Sequence, residues 1–500
     1  MTRPALDVPV RQARFEAEVE RNLRWNFGTN MIYGLFGTTG WRLIFTPTFV
    51  PAYAFAITGS EFMVGFFAFL TGLLRLLSPF AATAMVEHRR RAKGLSLWFG
   101  GLMRLQLLIV ALGAIWLYAH HPGWNVLLFF VAMPLCHALG GMQGVAYGMV
   151  MSKVIPAVGP GIWNRNIFVG LRNSVGGFTA IALILAVRRF APALEFPDDF
   201  AFLLICGFSL TSIGLLFFGF SREPDSPEVA EREGVLQKVA QIPATLRDHP
   251  NYARFVQART IAAFGLMAIP FYILHARRIL ADVPGIEINM TLYWMAASSL
   301  VDPIWGLIAQ NRGFRLVFLI AMGVWIAASG VFMLASGELP IGLAFAAIAA
   351  ANGGLMVSSN NMVFEFGSSD LRPRMIATSS TLGDVATTIA GLGAGALATL
   401  APLPVLFGVA ALFLALAAWL MATRVVEPRT PTLAEAARRE TPGLRDAPHP
   451  GTEGSGRQRP VPARGLAGPQ TGRIPAGRIP NSRGSNSRRG VESLGSGHVS

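Results

Sequence analysis

Seven charged side chains lie inside stretches of sequence that are otherwise apolar, and they are the first residues to examine for chemistry. In hydrocarbon, Arg and Asp cost several kcal/mol each unless they are paired or wetted, so each needs a partner, an aqueous cavity or a ligand. These residues are Arg42, Arg75, Arg104, Arg172, Arg259, Asp302 and Asp384. What each can do depends on the element that carries it.

The composition predicts an all-α integral membrane protein. Of the 500 residues, 52% are hydrophobic and only 14% are charged, a balance unlike that of soluble domains. A helix needs about 20 apolar residues to cross a hydrocarbon core of about 30 Å. Twelve runs reach that length, at 30–54, 62–84, 95–118, 124–148, 166–187, 200–220, 256–276, 291–309, 316–336, 339–363, 375–399 and 402–424. We therefore expect twelve transmembrane helices.

The distribution of Lys and Arg predicts the orientation. If the N-terminus is cytoplasmic, only Arg188, Arg189, Arg277 and Arg278 fall in external loops, whereas most of the 42 Lys and Arg residues fall in internal ones. Because cytoplasmic loops carry the excess of basic residues, both termini are expected in the cytoplasm. No removable signal peptide precedes the first span. The preference for Arg over Lys favours the inner membrane of a bacterium.

Two features divide the spans into related halves. The longest internal hydrophilic segment begins at Ser221 and separates six spans from six. The sequence VPAY in span 1 resembles IPFY in span 7, SPF in span 2 resembles DPI in span 8, and a basic turn follows each. This order predicts a parallel internal repeat. The expected segments are 1–25 (N-terminal segment), 26–220 (first six-helix bundle), 221–252 (central loop), 253–424 (second six-helix bundle) and 425–500 (basic, disordered tail).

These halves and their basic turns resemble the major facilitator superfamily of secondary transporters. GLIAQNRGFR, from Gly306, is similar to the loop signature of that family but has Gln310 where the family usually has Asp. ATAMVEHRRRAK is a more degenerate first copy. The resemblance implies two pseudo-symmetric six-helix bundles. It assigns these residues to the cytoplasmic loop motif: Glu87, Arg91, Gly306, Gln310, Arg312, Gly313 and Arg315.

Depth along the spans suggests two ion pairs. Arg75 and Asp384 both lie about 14 Å from the cytoplasmic end of their spans, and Arg172 and Asp302 both lie about 10 Å from it. In the fold that the chain resembles, span 2 packs against span 11 and span 5 against span 8. We therefore expect Arg75–Asp384 and Arg172–Asp302 to hold the cytoplasmic side closed in the outward-open state and to separate as the halves rock. The alternative is a partner within the same half, or an Arg172 side chain that reaches the headgroups.

Arg42 is the leading candidate for substrate binding. It lies near the midplane of a span that lines the central cavity in the resembling fold, among glycines and prolines that favour an irregular backbone. A guanidinium there could bind a carboxylate or phosphate through two N–H groups. Trp41 points in another direction on a helix, so we do not expect it to share a contact with Arg42. The alternative is that Arg42 binds backbone carbonyls and only stabilises the helix.

Three further polar residues are substrate-binding candidates: Asn352, Asn360 and Gln143. Polar residues between membrane helices often only hold the helices together, which is the alternative for each. Arg259 is expected to reach the cytoplasmic interface, and Arg104 to bond backbone or a polar neighbour. Residues 9–24 could form a separate amphipathic helix on the membrane surface or a solvated helix.

The sequence therefore predicts a secondary transporter that works by alternating access on a small organic solute, with an anion as the first candidate. A coupling proton on Asp302 or Asp384 is one option. The alternatives are an exporter of lipophilic compounds and a non-transporting receptor or scaffold. The sequence has no GxxxxGK[ST] loop and no cluster of catalytic or metal-ligating residues, so no enzyme, cofactor or metal is expected. Membrane lipid is an expected partner and nucleic acid is not, because topology and the tail explain the net charge of +14.

Overall fold

The chain folds into helices joined by short connections. The computed structural model describes residues 7–86, 89–156, 162–163, 165–190, 196–226, 240–367 and 371–428. Within these ranges every regular element is a helix. This confirms the predicted all-α class, which follows because a helix satisfies its backbone polar groups internally where no water is available.

The first six predicted spans form an N-terminal bundle. Its helices are α1 Asp7–Phe45, α2 Phe49–Thr58, α3 Glu61–Val86, α4 Lys93–His120, α5 Pro122–Val154, α6 Arg165–Phe190 and α7 Asp198–Gly219. Within it, α4 packs on α5, α1 on α7, and α3 on α5.

The remaining six predicted spans form a C-terminal bundle. Its helices are α8 Ile242–Asp248, α9 Pro250–Gly265, α10 Ile269–Ile279, α11 Ile286–Arg312, α12 Phe314–Leu334, α13 Glu338–Asn361, α14 Arg372–Leu400 and α15 Leu403–Arg424, with 3-10 turns at Leu266–Ala268 and Met362–Glu365. Here α12 packs on α13, and α9 packs on α15.

Eleven helical segments of the described chain are long and apolar enough to cross a membrane. The first predicted span is divided between the end of α1 and the short helix α2, with a break at residues 46–48. Pro47 lies in that break and cannot donate a backbone hydrogen bond. Counted as one crossing, α1 and α2 complete the twelve spans, and the chain is a multi-pass membrane protein.

The polar segment before the first span is continuous with it. Helix α1 begins at Asp7, so the separate surface helix considered for residues 9–24 is not formed. Trp25 Nε1 donates to the carbonyl of Phe220 over 2.9 Å, and the Arg222 guanidinium lies 5.1 Å from the Trp25 ring. These contacts fix α1 against the end of α7.

Equivalent aromatic stacks in the two bundles support the predicted repeat. Tyr53 of VPAY stacks on Phe200 of α7, with ring centroids 3.8 Å apart. Tyr272 of IPFY stacks on Phe407 of α15, with centroids 4.5 Å apart. In each half, a Tyr of the first span packs on a Phe of the last.

The bundles meet along a seam, in which α3 packs against α14 and both α1 and α6 approach α11. We call the end that carries Arg89–Lys93 and Arg312–Arg315 the basic end, and the other end, where α2 and α10 finish, the opposite end. On α3 and α14 the helices approach through glycine, since a Cβ on Gly65 would lie 2.4 Å from the Cα of Gly395. Of the residues that the sequence analysis selected, Arg42, Arg75 and Asp384 make contacts across this seam.

Candidate functional site

Arg42 lies at the seam, in the last turn of α1 before the break at residues 46–48. Its side chain is half-buried, and Nη1 donates to Ser299 Oγ of α11 over 2.8 Å. Among the described residues Ser299 is the one acceptor within hydrogen-bond distance of this guanidinium. Arg42 therefore links the two bundles, and the alternative that it binds freed backbone carbonyls is not what the structure shows.

Arg42 borders a cavity of about 270 Å³ between the bundles. Trp41 and Phe45 line it from α1, Thr46 lines it from the break that follows, and Trp294 lies across from them on α11. Trp41 and Arg42 thus share a cavity, although successive residues on a helix point in different directions. The expectation that they share no direct contact stays a prediction.

The structure does not bring Arg172 and Asp302 together. Within the described residues Arg172 donates to Tyr147 over 3.4 Å, lies 5.8 Å from the ring centroid of Phe168, and packs on Gly34. These contacts all lie within the N-terminal bundle. Equal depth did not pair the two charges, because the Arg172 side chain turns towards α1 and away from α11.

Asp302 instead faces the C-terminal bundle and Arg42. Its Oδ1 packs directly on Gly353 of α13 and has no hydrogen-bond partner among the described residues. Asp302 and Arg42 are close enough for electrostatic attraction. Asp302 is thus an acid beside the proposed substrate-binding cation.

The structure does bring Arg75 and Asp384 together. Arg75 Nη2 of α3 lies 2.9 Å from Asp384 Oδ1 of α14, and the two side chains are 53% and 33% exposed. The pair crosses the seam at mid-depth, next to open space on both sides. Its role as a gate concerns a change of conformation and stays a prediction.

Gln143 lines a second cavity, of about 400 Å³, on the N-terminal side of the seam. Its amide nitrogen donates to the Tyr33 hydroxyl over 3.4 Å, and its carbonyl oxygen accepts from Arg104 over 3.3 Å. Arg104 also donates to the carbonyls of Gly100 and Thr211, which confirms its predicted backbone bonding. These bonds already engage Gln143, which favours the structural alternative for this residue.

Asn352 and Asn360 line a third cavity, of about 550 Å³, on the C-terminal side. Asn360 Oδ1 accepts from Arg259 over 3.2 Å, and Arg259 also donates to Ser379 Oγ over 2.5 Å. The expectation that Arg259 would reach the membrane interface is wrong, since it lines this cavity. The sequence did contain a signal for this position. Arg259 precedes the IPFY motif of the second half much as Arg42 precedes the VPAY motif of the first half.

The three cavities adjoin one another across the seam. Trp41 and Phe45 line both the first and the second, and Arg75 lines both the second and the third. In the described part of the chain, the ionised groups that line or directly adjoin them are Arg42, Arg75, Arg259, Asp302 and Asp384. The surplus of cations favours an anion in this space.

The loop motif lies at the basic end, where two acidic residues cap helices. Glu223 accepts from the backbone N–H groups of Ala92 and Lys93 and from Lys153 Nζ, at 2.8–3.0 Å. In the second half, Glu427 accepts from the N–H of Arg315 over 2.8 Å. Sequence analysis missed both acids, although a Glu-Pro pair after spans 6 and 12 was available as a signal.

The residues of the loop motif have different surroundings. Glu87 lies outside the described residues. Arg91 pairs with Asp225 at 2.7 Å, Gly313 has φ 88° and packs on Glu427, and Gly306 has open space around it. Arg315 also donates to the carbonyl of Met421 over 3.1 Å, while Gln310 and Arg312 lie on the last turn of α11.

The described residues contain no group of three or more His, Cys, Asp or Glu side chains that could hold a metal ion. Both cysteines, Cys136 and Cys206, are free. The side chains that line the three cavities include charged, hydrogen-bonding and aromatic groups.

The second half of the sequence matches a family model. Residues 258–466 match the Major Facilitator Superfamily model. This part of the chain is therefore similar to the Major Facilitator Superfamily. No curated protein sequence matches it.

Solved structures of the superfamily resemble the whole bundle pair. The nucleoside transporter NupG is 13% identical with TM-score 0.60, and the alignment covers 79% of this chain and 98% of NupG. The xylose transporter XylE from E. coli, in an inward open conformation, is 14% identical with TM-score 0.58, over 83% and 99%. The human organic anion transporter MFSD10 is 13% identical with TM-score 0.54, over 80% and 99%. At these identities the likeness shows the fold alone.

Proposed function

We propose that this protein is a secondary transporter that carries a small organic anion across the membrane by alternating access. The observation that supports this most is Arg42. It lies where the two bundles meet, binds Ser299 of the other bundle, and borders an interbundle cavity. A ligand that binds Arg42 would contact both halves, as alternating access requires.

The charge balance supports an anion as the solute. Arg42 has five N–H donors and no carboxylate at hydrogen-bond distance among the described residues. A carboxylate ligand can therefore accept two bonds from the guanidinium. Solved neighbours with this fold include transporters of nucleosides, xylose and organic anions, so the fold does not determine the solute and the site residues must.

The described seam contacts support a state in which the bundles are held together at the opposite end. Thr48 and Thr291 bond each other through their hydroxyls at 2.6 Å, and Glu61 pairs with Arg278. These contacts, and the glycine contacts of α3 and α14, lie between mid-depth and the opposite end. With the basic end in the cytoplasm of a bacterium, this would be a conformation whose external side is closed.

Asp302 is the better placed of the two acids for proton coupling. Asp384 is bonded to Arg75, whereas Asp302 Oδ1 has no hydrogen-bond partner in the described chain. A proton on Asp302 would remove its attraction for Arg42 and leave the cation to the solute. Coupling through Asp302 would require no chemical conversion of the solute, and the protein is proposed to act without enzymatic activity.

Uptake into proteoliposomes tests the proposed function. The probes are labelled benzoate and acetate as anions, with adenosine and xylose as neutral solutes. We expect wild-type protein to take up an anion, Arg42→Ala to lose uptake, and Arg14→Ala to retain it, since Arg14 is an exposed cation on the same helix. Uptake of only the neutral solutes, unchanged in Arg42→Ala, would contradict the proposal and indicate a carrier of neutral polar solutes. No flux of any probe would favour a receptor or scaffold.

A further inference from the structure

Two aromatic rings and an imidazole form a continuous surface beside Arg42. Trp41 and Phe45 lie one turn apart on α1, with ring centroids 4.6 Å apart and planes inclined by 28°. His137 of α5 meets the Phe45 ring edge-on, at 4.7 Å and 68°. Phe45 is thus held in place from two sides, and the Trp41 and Phe45 rings both border the cavity.

A third ring faces this surface from the other bundle. Trp294 of α11 lines the same cavity as Trp41 and Phe45. Its indole packs against Phe345 of α13, with centroids 5.1 Å apart, so its orientation is also fixed. The Trp41, Phe45 and Trp294 side chains are all half-buried, which leaves part of each ring towards the open space.

The polar groups of this cavity are few and lie close to one another. Arg42 is its one cation among the described residues, and Thr46 and Ser298 are its other polar lining residues. Small-molecule sites typically have apolar and aromatic walls with a few polar groups that orient the ligand. The first two cavities adjoin along Trp41 and Phe45 and measure about 270 and 400 Å³.

We propose that the solute is an aromatic carboxylate, whose ring lies between Trp41 and Trp294 and whose carboxylate binds Arg42. This assignment rests on the proposed function and names its substrate class. Aromatic rings favour offset-stacked or edge-to-face contacts with one another, and a saturated ring of similar size offers no π-face. A polyol or sugar phosphate would leave most of its hydroxyls without partners against these walls.

With the same geometry, a bound aromatic ring would contact both bundles. Trp41 and Arg42 belong to α1, whereas Trp294 and Ser299 belong to α11. A bound ring and carboxylate would therefore add contacts across the seam at two points. An aliphatic carboxylate would add only the contact at Arg42.

Competition between two acids tests this proposal on the purified full-length protein. Benzoate and cyclohexanecarboxylate have the same charge and nearly the same size, but only the first is aromatic. We expect wild-type protein to prefer benzoate by about 2- to 10-fold, the range expected for one aromatic contact. Trp41→Leu should abolish this preference, Trp41→Phe should retain most of it, and Trp419→Leu should leave it unchanged because Trp419 lies on α15 with 52% exposure.

The outcomes separate this proposal from the function on which it rests. If wild-type protein binds both acids equally and Arg42→Ala loses both, the aromatic assignment is wrong and the anion carrier stands. If neither acid is bound or transported, the proposed function itself is wrong. Should Trp41→Leu fail to fold, Trp294→Leu provides the same test from the other bundle, and a preference retained in that variant would overturn the assignment.

Discussion

At the residue scale, the most deeply buried ion pair lies at the basic end rather than in the central cavity. Lys153 Nζ lies 2.9 Å from Glu223 Oε1, and the side chains are only 7% and 2% exposed. The same carboxylate accepts the backbone N–H groups of Ala92 and Lys93 at the start of α4. Glu223 therefore caps a helix and neutralises a buried cation at once.

We predict that Glu223→Ala destabilises the protein by about 3–5 kcal/mol, because it leaves the buried Lys153 charge without its partner. The matched control is Asp225→Ala, which breaks the nearby Arg91–Asp225 pair. Those side chains are 62% and 57% exposed, so the control should cost no more than about 1 kcal/mol. Thermal unfolding in detergent compares the two, and equal effects would contradict the prediction.

Arg75 and Asp384 make the second prediction at this scale. Arg75→Asp and Asp384→Arg each place two like charges together at the seam, so each alone should lower the midpoint of thermal unfolding. The double reversal restores opposite charges and should recover much of the loss, with a coupling of about 0.5–3 kcal/mol. If the double variant unfolds at a temperature no higher than the less stable single variant, Arg75 and Asp384 do not form a stabilising ion pair.

Two ion pairs were predicted from the sequence, and the structure contains one of them. The difference between the two has a geometric cause. Depth along a helix follows from residue number, and it correctly brought Arg75 and Asp384 to the same level. The direction of a side chain around the helix depends on its neighbours. The small Gly34 makes room for Arg172 within its own bundle, a contact that residue counting does not reveal.

At the element scale, α3 and α14 are held together by close backbone contact. A Cβ on Gly395 would lie 2.8 Å from the carbonyl oxygen of Phe62 and 2.9 Å from the Cα of Gly65. Backbone atoms in two long helices cannot move aside as a flexible side chain can. The approach of these helices therefore requires glycine at this position.

We predict that Gly395→Ala destabilises the observed conformation by about 1–3 kcal/mol through overpacking. Gly393→Ala is the control on the same helix, since a Cβ there meets nothing within 4 Å. The control should be neutral or slightly stabilising, because Ala is the better helix former. The test compares the midpoints of thermal unfolding of the two variants in the same detergent. If Gly395→Ala unfolds at the same temperature as Gly393→Ala, α3 and α14 do not approach this closely.

The elements themselves were largely predictable from apolar length, and their interruptions less so. Glycines and prolines around Arg42 indicated irregular backbone, and the break falls at residues 46–48. The continuation of α1 back to Asp7 was not predicted. That segment has no membrane-length apolar run, and its helix is fixed by the Trp25 bond to Phe220 of α7, a long-range contact.

At the scale of the whole molecule, the proposed alternating access requires contacts at the seam to form and break. Thr48 and Thr291 make one such contact, with hydroxyl oxygens 2.6 Å apart. Thr39 and Thr179 make a comparable contact, at 2.5 Å, but both belong to the N-terminal bundle. The first pair should have to separate during transport, and the second should not.

A disulfide at each position tests this difference. In a background of Cys136→Ala and Cys206→Ala, we predict that oxidation of Thr48→Cys with Thr291→Cys stops benzoate uptake and that reduction restores it. Thr39→Cys with Thr179→Cys should transport when oxidised, because this disulfide joins helices of one bundle. Undiminished uptake with the first disulfide formed would show that the opposite end does not open.

The bundle pair was predictable from the spacing of apolar runs and two short motifs, and solved structures with the same fold agree with it. The site was only partly predictable. Arg42 was selected from its depth, whereas the aromatic walls around it combine Trp41 and Phe45 with Trp294 from the other half. Residues so far apart in sequence meet only once both bundles have packed.

The measurement that tests the central claim most directly is a thermal-shift comparison of matched anionic and neutral ligands. Benzoate and benzamide form one pair, acetate and acetamide the other, and each is measured on wild-type protein, Arg42→Ala and Arg14→Ala. Because a ligand at 100 times its Kd stabilises the folded state by about 2.7 kcal/mol, a bound anion raises the unfolding midpoint. We predict a shift with benzoate but not benzamide, lost in Arg42→Ala and kept in Arg14→Ala. Equal shifts with acid and amide, or a benzoate shift that survives Arg42→Ala, would contradict the assignment of Arg42 as the anion-binding residue.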